Sequence, residues 1–248
     1  MNFLTNLTVP MERLSGETLH DSRFDSLVAE HFNRYKFCEP FIVGKSVLDA
    51  ACGNGFGARL MAEAGAKQID AIDISPEAIA MAQQHYPHLN VRFEVGDLLS
   101  LTVTNHYDVA VSFETIEHIV ETERYLQVMH NALKPGGLFF VSTPNRKVAN
   151  PGATRFDKPK NPFHRFELTR DELVQLLGNY FLLDEIYGQH PYYYKGTRIR
   201  TLESIATSGR LRKLLHLPKA DYVKLSQVRQ IKSWHEPAFL IARCLKRH

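Results

Sequence analysis

One stretch constrains this chain more than any other: Ser46-Val47-Leu48-Asp49-Ala50-Ala51-Cys52-Gly53-Asn54-Gly55-Phe56-Gly57. An apolar run breaks there into a glycine-rich turn, and a helical pattern, 58–64, follows at once. Strand, tight turn and helix N-terminus in that order present backbone N–H groups and the positive end of a helix dipole to a ligand. The glycines let the backbone approach that ligand and take positive φ. The spacing is Gly-x-Gly-x-Gly, not the Gly-x-Gly-x-x-Gly of dinucleotide-binding turns.

Carboxylates recur at the ends of the next apolar runs. Asp49 stands four residues before Gly53, and the run 68–74 carries Asp73 near its end. An acid about 20 residues past such a turn is placed to bind ribose hydroxyls. The run 91–95 ends at Gly96-Asp97-Leu98; further strands are expected over 107–113, 138–143, 181–187 and 236–244. Helical patterns lie between them. Ser75-Pro76-Glu77 opens one with a cap, a first-turn proline and an acid suited to the dipole. Another, 122–133, stops at Lys134-Pro135-Gly136-Gly137, and Thr169-Arg170-Asp171-Glu172 is a capping box. A helical stripe of Phe24, Leu27, Val28, His31, Phe32 and Tyr35 precedes the first strand, and Pro40 limits it. Strands alternating with helices predict an α/β, doubly wound parallel sheet, with ligands beyond the carboxyl ends of its strands.

Taken together, Val-Leu-Asp-x-x-Cys-Gly-x-Gly, Ile-Asp-Ile-Ser and Gly-Asp resemble the class I S-adenosylmethionine (SAM) methyltransferases over residues 46–144. The resemblance implies a Rossmann-like, seven-stranded sheet whose last strand runs antiparallel beside strand six. It implies SAM held by Asp49, Ala51, Gly53, Asn54, Gly55, Asp73, Ile74, Asp97, Leu98, Phe113 and Glu114. Asp73 would take the ribose, Asp97 the adenine amino group and Leu98 the ring face. The helix before strand one covers the pocket in similar enzymes, so Tyr35 is a cofactor contact or a core residue. Softer features, Glu30-His31-x-x-Arg34-Tyr35 and Asn161-Pro162-Phe163-His164, resemble methyltransferases of cell-surface polysaccharide and sugar modification.

Past strand four comes Phe113-Glu114-Thr115-Ile116-Glu117-His118. On a helical turn Glu114, Glu117 and His118 share a face, a donor set that suits Mg²⁺, Mn²⁺, Fe²⁺ or Zn²⁺. Glu-x-x-Glu-His is similar to the motif of small-RNA 3′-terminal 2′-O-methyltransferases and of ubiquinone-pathway O-methyltransferases. In the former a later segment like Phe163-His164-Arg165-Phe166 adds a metal-binding histidine. That resemblance implies a divalent metal on Glu114, Glu117, His118 and His164. Without a metal, His118 is a general base or orienting group, with Glu117 beside it.

The chain divides into an N-terminal arm with cap helix (1–45), a core (46–189 with 235–248) and a segment, 190–234, between the last two strands. Within the arm, 12–17 is a candidate flap. Between His190 and Trp234 ten Lys or Arg stand against Glu203 and Asp221, although the 248-residue chain carries only +3 overall. This excess, with Tyr192-Tyr193-Tyr194, suits an anionic acceptor with ring faces: a sugar phosphate, a glycan or a nucleic acid. A solvated face with a homodimer contact is the competing reading. No apolar run has the roughly 20 residues of a membrane span, and residues 1–10 lack a signal-peptide pattern. Cys38, Cys52 and Cys244 have no metal-type spacing and read as reduced thiols of a cytoplasmic protein. The expected activity is O-methylation of a sugar, glycan or other hydroxylated small molecule. An RNA 2′-O-methyltransferase and a non-catalytic SAM-binding regulator are the alternatives.

Overall fold

A computed structural model describes residues 22–193, 226–231 and 235–247. The candidate flap 12–17 and most of the basic segment 190–234 lie outside the described residues. Strand β1 (Ser46–Ala50) pairs in parallel with β2 (Gln68–Asp73) on one side and β4 (Tyr107–Phe113) on the other. Strand β3 (Val91–Val95) follows β2, and β5 (Leu133–Pro144) follows β4, again in parallel. Beyond β5 lies β8 (His235–Leu245), antiparallel both to β5 and to β6 (Leu182–Tyr193). The order is β3-β2-β1-β4-β5-β8-β6-β7, with β7 (Arg229–Gln230) a two-residue edge pair on β6. The seven expected strands are therefore joined by an eighth.

The middle strands are mostly apolar because both their faces are covered. Side chains alternate between two cores. Val109 and Val111 of β4 and Phe140 of β5 face a cluster with α1 (Ser22–Ile42) and α2 (Phe56–Glu63). Ala110, Phe139 and Val141 face the opposite cluster with α4 (Thr122–Ala132) and α6 (Arg170–Gly178). Helix α3 (Pro76–His85) joins the first face through Ile79. Each fully buried Leu or Phe contributes roughly 1.5–3 kcal/mol of transfer free energy. The outer strand β3 is instead half-exposed and carries Arg92 and Glu94, charges that discourage edge-to-edge pairing.

Three boundaries differ from the sequence pattern; one is that of β6, which runs past its expected end at 187 to Tyr193. Helix α1 runs through Pro40 to Ile42, since a proline in the last turn removes little while Cys38 and Ile42 are fully buried. Strand β5 begins at Leu133, not 138. Leu133 already pairs with Tyr107, and Lys134-Pro135-Gly136-Gly137 forms an irregularity inside the strand, not a loop before it. The expected caps are present. Ser75 Oγ accepts from Ala78 N–H at 3.1 Å, and Thr169 and Glu172 close a capping box. The three cysteines are buried and unbridged. Among the described residues no helix is long and apolar enough to cross a membrane.

Candidate functional site

The carboxyl ends of β1, β2, β3 and β4 border one pocket of about 390 Å³. Its floor is the glycine turn. Ala51 takes φ +66°, and the N–H groups of Ala51 and Cys52 both donate to the Ile72 carbonyl, at 2.8 and 3.0 Å. Gly55, at φ +83°, caps α2; a Cβ there would lie 2.7 Å from the Phe93 ring, so no larger residue fits. The Asp73 carboxylate ties β2 to this turn. One oxygen accepts from Gly53 N–H at 2.8 Å and the other from Ser75 N–H at 2.9 Å. Each oxygen keeps a second lone pair for a ligand hydroxyl. Asp97 accepts from Leu99 N–H at 2.9 Å, which holds the short 3-10 turn Leu98–Ser100 against the pocket. Ile74 lines the opening, 69% exposed.

All the residues expected at the cofactor line this pocket except Asp49 and Gly55. Asp49 lies just behind the wall, 1% exposed. Tyr35 Oη donates to its Oδ1 at 3.3 Å, and its Oδ2 has no hydrogen-bond partner among the described residues. Burial pushes its carboxyl up to about 7, with the Asp73 charge adding and the Tyr35 hydrogen bond opposing. Tyr35 lines the pocket and also packs edge-on against Phe113, centroids 5.2 Å apart. His31, one turn earlier, lines the pocket too; burial and the Arg34 charge lower its imidazole to about 3, so it is neutral.

At the end of β4 the expected helical turn does not form. Glu114 takes φ +53°, and only Ile116–His118 is helical, as a 3-10 turn. Glu114 therefore leaves the face it was expected to share with Glu117 and His118. Its Oε1 accepts from Ser142 Oγ at 2.6 Å and lies 3.7 Å from Arg34. Glu117, fully buried, accepts from Thr143 Oγ1 at 3.1 Å through Oε2, while its Oε1 has no hydrogen bond. Burial, then the nearby Glu114, hold its carboxyl well above the usual range.

His118 Nδ1 is 2.9 Å from the Phe163 carbonyl, an atom that only accepts, so the proton of the neutral ring sits on Nδ1 and the lone pair on Nε2. His118 Nε2 lies 4.0 Å from Glu117 Oε1. The His164 ring stands across it, centroids 5.0 Å apart, with Nδ1 on Glu167 at 2.8 Å and Nε2 on the Asn161 amide at 2.9 Å. One ligand atom from each of Glu117, His118 and His164 lies within 4.8 Å of the others. The structure thus brings together three of the four expected metal ligands, from segments 45 residues apart, and leaves Glu114 outside them.

Arg34 stands in the sequence only as part of the Glu30-His31-x-x-Arg34-Tyr35 pattern, with no role in the site attached to it. Its guanidinium is fully buried, with Nε donating to Gln189 at 2.7 Å and its carbon 4.5 Å above the Phe239 ring. The terminal nitrogens sit near Glu114 and Glu30 but make no hydrogen bond among the described residues. Gln189 also donates to the carbonyls of Glu30 and Ser226, and Asn33 to Ser226 Oγ at 2.8 Å. A cation three residues from His31 on the buried stripe of α1 was the one signal available.

Residues 43–188 match the model of a family described as a methyltransferase domain. A probable SAM-dependent methyltransferase of Mycolicibacterium smegmatis is 38% identical over 54% of this chain and 50% of its own length. A ubiquinone biosynthesis O-methyltransferase of Glaesserella parasuis is 36% identical over 42% of this chain and 48% of its own. The chain spans about half the length of the curated relatives it matches. Among solved structures, a SAM-dependent methyltransferase from Mesorhizobium loti superposes with a TM-score of 0.60 at 18% identity, covering 89% of this chain and 99% of that one. The N-methyltransferase NodS of Bradyrhizobium japonicum, in complex with S-adenosylhomocysteine, gives 0.57 at 13% identity, covering 90% and 88%. These structures share the fold.

Proposed function

Because the chain belongs to the methyltransferase-domain family, we propose that it moves the methyl group of SAM to a hydroxyl oxygen of a sugar, a glycan or another hydroxylated small molecule. The observation that carries this reading is the Glu117, His118 and His164 cluster, whose His118 lines the pocket built on Asp73 and the glycine turn. Asp73 accepts from the ribose hydroxyls, Asp97 from the adenine amino group, and Leu98 and Ile74 cover the ring. Asp49 faces the ammonium of the methionine part, or orders the turn that does. The reacting oxygen attacks the methyl carbon as the carbon–sulfur bond breaks, leaving its electron pair on a neutral sulfur. The sulfonium is a strong donor, so the protein mainly aligns and dehydrates the reactants. The oxygen must also lose its proton, and His118 Nε2 takes it.

The same cluster fits a divalent cation. Glu117 offers a buried oxygen with no hydrogen bond among the described residues, and His118 and His164 are each oriented through Nδ1 by the Phe163 carbonyl and the Glu167 carboxylate; an ion would have to displace the Asn161 amide from His164 Nε2. A Mg²⁺-like ion on Glu117, His118 and His164 would acidify one hydroxyl of a vicinal diol. No step above depends on it. That diol chemistry equally suits the terminal ribose of an RNA, which is the second reading. A cluster of this kind argues against a purely regulatory SAM binder, which has no use for it.

Calorimetry with SAM, alongside release of S-adenosylhomocysteine over a panel of hydroxylated acceptors, tests the assignment. Asp73→Ala is expected to weaken SAM binding at least about tenfold. His118→Ala is expected to leave it unchanged and to lower turnover by roughly 10²–10⁴. Chelation that lowers turnover, with calorimetric Zn²⁺ or Mg²⁺ binding lost in Glu117→Gln, supports the metal. SAM binding indifferent to Asp73→Ala sinks the cofactor assignment. Steeply salt-dependent binding of single-stranded RNA moves the choice to the second reading.

A further inference from the structure

The arm 150–166, between β5 and α6, turns an unusual face outward. Phe156 is 96% exposed and Phe163 58%. Arg155, Lys158, Lys160 and Arg165 are exposed as well, and no carboxylate among the described residues lies within ion-pair distance of any of them. The arm's one acid, Asp157, is already engaged by the N–H and hydroxyl of Thr154, at 2.7 and 2.8 Å. That contact closes a tight turn and sets Arg155 and Phe156 at its tip.

The arm is not loosely attached. Pro159 is buried beneath it, and Lys160 N–H donates to Asn150 Oδ1 at 3.1 Å. Arg165 N–H donates to the Glu117 carbonyl at 2.8 Å, and the Phe163 carbonyl meets His118. Val120, 75% exposed, follows the pocket-lining Ile119 on the same rim. The arm thus carries exposed cations and two exposed rings on a frame braced to the turn Ile116–His118 beside the pocket, with Val120 exposed two residues past His118.

An exposed phenylalanine at the tip of a braced turn loses free energy in water and gains it at an acyl boundary. The Lys and Arg around it, with no carboxylate partner among the described residues, are drawn to a negative surface. A nucleic acid would use the cations and stack on the rings, but gains nothing from Val120. We propose that the arm 150–166 docks the protein on an anionic lipid surface, with Phe156 entering the headgroup layer and the pocket mouth turned toward the bilayer. Docking does not depend on the methyl-transfer reading. If both hold, the acceptor is an amphiphile whose hydroxylated head is presented at the membrane.

Sedimentation of the full chain with vesicles tests this. The chain is expected to pellet with phosphatidylcholine mixed with phosphatidylglycerol, not with phosphatidylcholine alone, and to be released by salt. Phe156→Ser is expected to weaken binding about tenfold. Arg155→Gln with Lys158→Gln is expected to weaken it about 25-fold, roughly fivefold for each charge. SAM affinity, measured on each variant, should be unchanged, which separates docking from folding and from the cofactor site. The proposal fails if the protein ignores anionic vesicles. It fails equally if the variants pellet like the parent, or if the arm's cations are needed for RNA and not for lipid.

Discussion

Asp49 is a carboxylate with one oxygen left bare inside the protein. Its carboxyl is raised to about 7 in the folded chain, against an ordinary 3.8. The folded state therefore keeps a proton that the unfolded state releases near pH 4. Between those values the unfolded chain binds fewer protons, so stability falls as pH rises, by about 4 kcal/mol across the window, and is level above it. The unliganded Asp49→Asn variant should lose that slope and melt higher than the parent at pH 8, while binding SAM more weakly there. Parallel melting-temperature profiles for parent and variant from pH 4 to pH 8 would refute the account. The position of Asp49 was legible, since an acid closing an apolar run before a glycine turn stands out. Its orphan oxygen was not, because the one side chain that reaches this carboxylate, Tyr35, lies on a separate helix and bonds the other oxygen. Glu114 was hidden for a different reason: φ +53° in a non-glycine residue leaves no mark in composition or spacing.

Among elements, α1 contributes most to the site that a helical period alone does not announce. The period gave its existence and its buried stripe. What it carries depends on partners far along the chain: Glu114, Gln189 and Ser226. Its contact with α2 is tight at one point. A Cβ on Gly57 would lie 1.8 Å from the Tyr35 ring, so the third glycine of the turn is required by the cap helix, not by a ligand. Gly57→Ala should destabilise the protein by about 3 kcal/mol through overpacking and weaken SAM binding by displacing Tyr35. Adding Tyr35→Ala should recover part of that stability, a coupling that thermal unfolding of both single variants and the double variant measures. If the two losses simply add, the contact is not what restricts position 57. The 3-10 turn Ile116–His118 teaches the complementary lesson. Its residues were found by motif, and their faces were misjudged because a helix was assumed where the backbone starts left-handed.

At the scale of the whole molecule, the parallel half of the sheet was readable because alternation of period and turn residues repeats with each strand. The antiparallel half was less so. Strand β8 is nearly continuous in apolar residues, yet nothing local says that it lies between β5 and β6, or that β6 runs on to Tyr193. That placement has its own test. A chain ending at residue 234 keeps every residue of the pocket but leaves β5 and β6 without their shared partner. It should be largely insoluble, as unpaired apolar edges associate; recovery as a soluble, SAM-binding monomer would show that β8 is dispensable. The arrangement also bears on synthesis. Strands β1 to β5 can pair in the order in which they leave the ribosome, while β6 emerges with no neighbour to accept it. The strand that bridges them is translated after both, so closure of the sheet waits until the message has been read as far as Leu245.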